Sequence, residues 1–580
     1  MKTFEDKYKD NSPLQTIENI KKFFNSKNLI IKEKLIEQNK ESNTWSCFVV
    51  LFSNNNIILQ TCGKGVNKEL ALASGYAEMF ERFNNKSLLY LHPLSSFFVL
   101  KQNKIKNNYF ISKEEKITNS LNNNKYLYNK LLSYFDNDNN LNNFLNVFCN
   151  NQIIEIPYKN CFDKNDIYYT DPRLEQKILG SCGMAAGNSL EEALVQGISE
   201  IFEHYVQEQF FKNPPKTLFY IKREDINDKN LKIIEEIEKN TNSKVKIVDL
   251  SYNYEVPVCI VILFNSNTYN FLINFSSAPT IQIAIERSLT ELYQNRADYS
   301  FSSVKPQTPS NTLYEETLIE FHTRFSNCNQ FPEKSLLKFE YKNYNKDYFL
   351  QDDYYSNKIL LEHYNKICKK LNIKLYYHLF EIDNMKAVHI ISYNLNYKNF
   401  YKDYFNEISS KEKKEIINIA QCFYELILKT LSNNINLEDI NYCRQLLNKI
   451  TIMDKKKETF FLYIMGTSWL TPYLKRDSVG ILFELSKEKI IKENIFASTK
   501  NTYFEKRGRK YGVLYDYKIS KKYTDKEIYQ IFSQLDQNLT LEEIKMCDNL
   551  DFLFYKIILE PIKYAYSSES FINMINAYCN

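Results

Sequence analysis

Glu78 and Glu81, Glu200 and Glu203, and Glu291 with Gln294 each stand three residues apart, in segments whose apolar spacing predicts helices. Residues i and i+3 or i+4 share one helix face. Ser74, Glu78, Glu81 and Arg82 therefore project together, as do Glu200 with Glu203, and Arg287 with Glu291 and Gln294. Like charges at this spacing repel mildly, which a purely structural helix tends to avoid. Two glutamate pairs plus Glu291 could converge on hard divalent cations. Mg²⁺ takes oxygen ligands in octahedral geometry, typically a few carboxylates with phosphate oxygens and water.

The three segments are copies of one pattern. A shift of 122 residues carries Gly65, Glu69, Ala71, Leu72, Gly75, Glu78, Phe80 and Glu81 onto Gly187, Glu191, Ala193, Leu194, Gly197, Glu200, Phe202 and Glu203, and Arg82 onto His204. A weaker copy at a shift of 213 carries Ala71, Glu78, Phe80 and Glu81 onto Ala284, Glu291, Tyr293 and Gln294. A single E-x-x-E turn is commonly a solvated helix face; three copies, two with matched glycines, are harder to explain that way. The glycines matter because the chain has only 11 in 580 residues, where about 40 is usual. Seven fall within 63–75 and 180–197. Their loops are expected to admit a phosphate chain, with helix N-termini supplying N–H donors. Gly63-Lys64-Gly65 is not a dinucleotide fingerprint, and the chain has no GxxxxGK[ST] loop.

The elements that must hold these helices are mixed. Helical periodicity runs over 13–38, and strands are predicted at Trp45–Phe52 and Ile57–Thr61, joined by a turn. Helices are predicted at 68–84, 190–211, 229–240, 281–297 and 359–371, and further strands at 153–157, 244–250, 256–264, 269–275, 374–380 and 387–392. The fold class is α+β. From about 410 the apolar spacing is nearly all helical. The expected division is residues 1–405 around the site, with a peripheral insertion at about 101–150, and an α-helical domain at 406–580 for partner binding or dimerisation.

A 44% hydrophobic, 15% aromatic composition is that of a globular chain. Net charge is +5, without a conspicuously basic half, so direct nucleic-acid binding is not expected. The longest apolar runs, such as Val256–Phe264, are too short to span a bilayer. The charged first residues lead to the expectation of no secretory signal, and the 12 cysteines hold no CxxC pair. A cytoplasmic location with reduced thiols is expected.

The stretches Ser74–Arg82 (SGYAEMFER), Ser181–Tyr205 (SCGMAAGNSLEEALVQGISEIFEHY) and Ala278–Arg296 (APTIQIAIERSLTELYQNR) resemble the YcaO superfamily, in its full-length bacterial form. The resemblance implies an ATP- and Mg²⁺-binding domain of the YcaO fold followed by a helical C-terminal domain. It implies Mg²⁺ ligands at Glu78, Glu81, Glu200 and Glu203, and ATP contacts at Lys9, Thr16, Ser74, Ala185, Asn188, Arg287, Glu291 and Gln294.

Family members use ATP to activate a backbone amide oxygen. The full-length bacterial type is associated instead with β-methylthiolation of an aspartate in ribosomal protein S-twelve, assisting a radical-SAM methylthiotransferase. The expected function is this accessory role, in a homodimer. Alternatives are amide activation of a ribosomally made peptide, by cyclodehydration or thioamidation, and a non-catalytic scaffold stabilised by ATP. Two departures stand out: His204 where the family usually has arginine, and Ala278-Pro279-Thr280 in place of His-Pro-Asp. The chain also ends without the Pro-rich terminus of azoline synthetases, which lowers the expectation of heterocyclisation.

Overall fold

The computed structural model describes residues 9–465, apart from 54–55, 88–115, 119–123, 150–152, 266–269, 294–337, 352–354, 383, 396–401, 403–404, 432–441, 443–445, 447–448 and 450–452. Gln294 and most of the segment after 405 therefore lie outside the described residues.

Helix α1 (Pro13–Ser26) opens on Ser12, whose hydroxyl accepts the Gln15 N–H, with Pro13 in the first turn. The helical periodicity read over 13–38 ends there. Asn28 takes φ +56° and the Leu29 N–H donates back to the Phe24 carbonyl at 2.9 Å, which closes the helix. Residues Ile30–Gln38 instead form β1, an edge strand with much of its surface exposed and lysines at 32 and 34. That exposure is why it lacks the alternation that would mark a half-buried strand. Strand β1 pairs with β2 (Trp45–Ser53), and β2 with β3 (Asn56–Gly65), in an antiparallel sheet. Helices α1 and α2 (Lys68–Asn84) cover it through edge-on phenylalanines: Phe23 with Phe80 at 5.0 Å and Phe24 with Phe83 at 5.2 Å.

Of the segment expected as a peripheral insertion at about 101–150, residues 101–115 and 119–123 lie outside the described residues, and two helices follow, α3 (Lys125–Phe135) and α4 (Asp138–Cys149). Leu127, Leu131, Phe135, Phe144 and Phe148 are fully buried in the largest core cluster. Strands β4 (Lys116–Thr118), β5 (Ile153–Asn160) and β6 (Ile167–Thr170) come next in structure, then α5 (Pro172–Leu179), β7 (Met184–Gly187) and α6 (Leu190–Lys212). A five-stranded sheet has the order β11-β10-β9-β8-β12, with β8 Thr217–Ile221, β9 Lys244–Asp249, β10 Val258–Asn265, β11 Asn270–Ser277 and β12 Lys338–Lys342. Its pairs are antiparallel except β8 with β12.

The apolar run anticipated at 256–264 is the central strand β10, buried on both faces. Val258, Ile260 and Ile262 belong to the core shared with α6, while Cys259, Val261 and Leu263 face the cluster built with α7 (Asp228–Thr241) and α8 (Ile281–Glu291). A third sheet runs β4-β5-β13-β14-β7, with β6 paired to β5, β13 at Leu375–Ile382 and β14 at Met385–Ser392. Helix α9 (Asn357–Lys370) packs on α6. The mixed sheets and covering helices are the α+β core expected. Additional helices follow, α10 (Ser410–Leu431) and α11 (Lys455–Met465), and Phe460 lies 5.8 Å from Phe135. Among the described residues, no helix is long and apolar enough to cross a membrane.

Candidate functional site

Each copy of the repeated pattern is a strand running directly into a helix: β3 into α2, β7 into α6, β11 into α8. The register of the repeat extends to the caps. Asn67, Ser189 and Thr280, related by the same shifts of 122 and 213 residues, accept the backbone N–H of Leu70, Glu192 and Ile283 at 2.8, 3.1 and 3.4 Å. The glycines have a packing role that the sequence reading did not foresee. Gly63 and Gly65 end a strand, as does Gly187, rather than forming open loops. A Cβ on Gly65 would stand 2.5 Å from the Ala71 nitrogen, and one on Gly187 at the same 2.5 Å from the Ala193 nitrogen. The missing side chains let each strand press against the first turn of its helix. The third copy has no such glycine; its cap alone keeps the register.

The three helices surround a cavity of about 410 Å³, within the range of small-ligand pockets (roughly 300–1,000 Å³). Glu78 and Glu81 reach it from α2, Glu200 and Glu203 from α6, and Arg287 and Glu291 from α8. Ser74, Asn188, Lys9 and Thr16 also line it. The N-terminal residues are tied to the second copy: Lys9 Nζ lies 3.2 Å from Glu192, and Thr16 Oγ1 donates to Asn188 Oδ1 at 3.0 Å. Of the expected contacts, Ala185 is not on the cavity wall. Strand alternation turns it into the main core and presents Ala186 instead. Gln294 lies outside the described residues.

The charges are unevenly compensated. Arg82 lies 3.4 Å from both Glu78 and Glu81, and Lys64 lies 2.5 Å from Glu291. Burial pushes the Glu81 carboxyl well above its usual range; Arg82 pulls it down, while Glu200 across the cavity and Glu78 add repulsion. Burial, and then Glu291, push Glu203 up to about 8 against the pull of Arg287 and Lys64. Glu291 goes the other way: burial opposes its charge, but Lys64 and Arg287 outweigh that and hold it low. Carboxylates from separate helices thus repel across the cavity, and a divalent cation supplies the charge that would settle them. The carboxylate oxygens that Glu78, Glu81, Glu200 and Glu203 bring to the cavity suit Mg²⁺. Cations at Lys9, Lys64 and Arg287 line the same cavity and suit phosphate. The residues present fit a nucleotide with its metal.

Among the wall residues that the sequence reading did not assign to the site are Lys64, Gln196 and Glu192. Lys64 lies between two glycines whose only apparent signal was a failed nucleotide motif. Gln196 accepts from Arg287 Nη1 at 2.9 Å and has no charge to draw notice. Glu192 was legible in principle, because Ser189-x-x-Glu192 has the sequence of a capping box; its carboxylate instead accepts the backbone N–H of Asn188, one residue before the cap, at 3.3 Å and of Asp10 at 3.1 Å.

A family model described as YcaO cyclodehydratase, ATP- and Mg²⁺-binding, matches residues 62–377. The chain is 28% identical over 278 residues to an uncharacterised protein of Haemophilus influenzae, covering 45% of each. It is 27% identical over 310 residues to the ribosomal protein S12 methylthiotransferase accessory factor YcaO of Escherichia coli, covering 49% of each. The chain spans about half the length of the curated relatives it matches. Among solved structures, 67% of the chain overlays 93% of YcaO from Methanopyrus kandleri bound with AMPPCP and Mg²⁺, at 12% identity and a TM-score of 0.41. The same share overlays 53% of a heterocyclase in complex with substrate and cofactor, at 15% identity and a TM-score of 0.45.

Proposed function

The chain belongs to the YcaO family, whose domain binds ATP and Mg²⁺, and we propose that it uses them to activate a backbone amide in a ribosomally made peptide. The observation that carries this reading is the convergence of Glu78, Glu81, Glu200 and Glu203 on one cavity, within a span that matches a cyclodehydratase family. When bound, ATP supplies an electrophilic phosphoryl group for the amide oxygen. In this reading the two glutamate pairs hold Mg²⁺. Arg287, Lys9 and Lys64 neutralise phosphate charge. Ser74, Thr16 and Asn188 orient the nucleotide, with Glu291 holding Lys64 in place at 2.5 Å. The same reading gives residues 406–580 a partner-binding or dimerising role.

A second reading is favoured by the curated relative from Escherichia coli: an accessory factor in methylthiolation of ribosomal protein S12. Mass spectrometry of peptides and ribosomal proteins from a deletion strain separates the two. Amide activation predicts a peptide that in the parent strain is lighter by one water, or carries sulfur in place of an amide oxygen, with S12 unchanged. An S12 that loses one methylthio group on deletion, with no such peptide, contradicts amide activation and supports the accessory role.

A further inference from the structure

The first two copies of the repeat differ at one chemically decisive place. Arg82 in α2 corresponds to His204 in α6. The guanidinium is a permanent cation between Glu78 and Glu81. The imidazole stands beside Glu200 instead, with Nε2 3.8 Å from Oε1, while its Nδ1 lies 3.3 Å from Gln207 Oε1. With Gln207 Oε1 as the acceptor, Nδ1 donates and Nε2 keeps the lone pair of the neutral ring. Metal-binding histidines are held in just this way, with the far nitrogen donating to an oxygen that fixes the tautomer.

Behind this pair lies Cys182, in the turn between α5 and β7. It is 1% exposed, and its Sγ is 4.0 Å from the Glu200 carbonyl oxygen. Cys182, Glu200 and His204 each offer a ligand atom within 4.8 Å of the others. Zinc bonds of about 2.0–2.3 Å set neighbouring ligands of a tetrahedron about 3.3–3.8 Å apart, so side-chain rotation closes the gap. Glu200 and His204 line the cavity, which leaves the fourth position facing it.

We propose that Cys182, Glu200 and His204 form a binding site for a borderline-soft divalent transition ion of the Zn²⁺ class. A thiolate and an imidazole select such an ion over Mg²⁺, which prefers oxygen throughout. Glu200 is shared with the carboxylate cluster; the sulfur and nitrogen donors are not. Binding releases the thiol proton to solvent as the Cys182 sulfur bonds the metal.

Titration of the metal-stripped full chain with Co²⁺ tests this by absorption. One equivalent is expected to give tetrahedral d–d bands with a thiolate-to-cobalt charge-transfer band, displaced by Zn²⁺ but not by excess Mg²⁺. Cys182→Ser is expected to abolish the charge-transfer band, Cys422→Ser to leave it, and His204→Ala to weaken Co²⁺ binding at least tenfold, a loss of roughly 1.4 kcal/mol or more. Circular dichroism of each variant monitors the fold. A wild-type chain without the band, or a folded Cys182→Ser variant that keeps it, overturns the proposal. If Cys182→Ser does not fold, His204→Ala decides alone: unchanged Co²⁺ affinity overturns it.

Discussion

A carboxyl held near pH 8 in the absence of cation is the sharpest residue-scale consequence of the cavity. Glu203 is pushed to about 8 by burial and by Glu291. It must lose its proton to act as a metal ligand, so protons compete with Mg²⁺ below that value. Mg²⁺ affinity therefore rises with pH through the region around 8, by up to about tenfold per unit for each proton released. Calorimetric titration with MgCl₂ between about pH 6.5 and pH 9 reads this slope, and Glu203→Gln is expected to flatten it. An affinity independent of pH over that range contradicts the assignment. Glu81, raised by burial and by Glu200 and Glu78, extends the same sign of dependence.

At the scale of elements, the glycines decide how close strand and helix come. Gly187→Ala would bring a Cβ to 2.5 Å of the Ala193 nitrogen, a backbone atom that cannot rotate away. Overpacking of this kind costs about 1–3 kcal/mol. Urea denaturation is expected to show that loss, together with weaker nucleotide binding as the start of α6 shifts. An unchanged midpoint contradicts the packing role. Helices α2, α6 and α8 were legible because their apolar spacing is periodic and their caps are polar; α2 was anticipated at its observed bounds, 68–84. Strand β1 was not, because an exposed edge strand has no buried face to pattern its sequence. The wall residue Ala186 was displaced by one position to Ala185, the smallest error a period of two allows and one that flips the side chain to the other face. Lys64 was hidden because its importance lies in a partner, Glu291, 227 positions away.

At the scale of the whole molecule, the site is a meeting of three units that are distant in sequence. The first sheet carries α2, the third sheet carries β7 and its helix α6, and the five-stranded sheet carries α8. Strand β10, buried on both faces, separates the core that supports α6 from the cluster that supports α8. Helices α3 and α4 belong to the same large core as Phe405 and Phe460, so residues on either side of position 405 share buried surface. Sequence could show that three helices repeat one pattern; only the tertiary arrangement shows their carboxylates facing one another.

The central claim, that Glu78 and Glu200 from separate helices jointly hold the cation of a bound nucleotide, is tested most directly by titrating the wild-type chain, Glu78→Gln and Glu200→Gln with ATP in the presence of Mg²⁺. Each substitution keeps the shape and removes one ligand charge, and each is expected to weaken binding at least tenfold, about 1.4 kcal/mol or more. Unchanged nucleotide affinity in both folded variants would contradict the site.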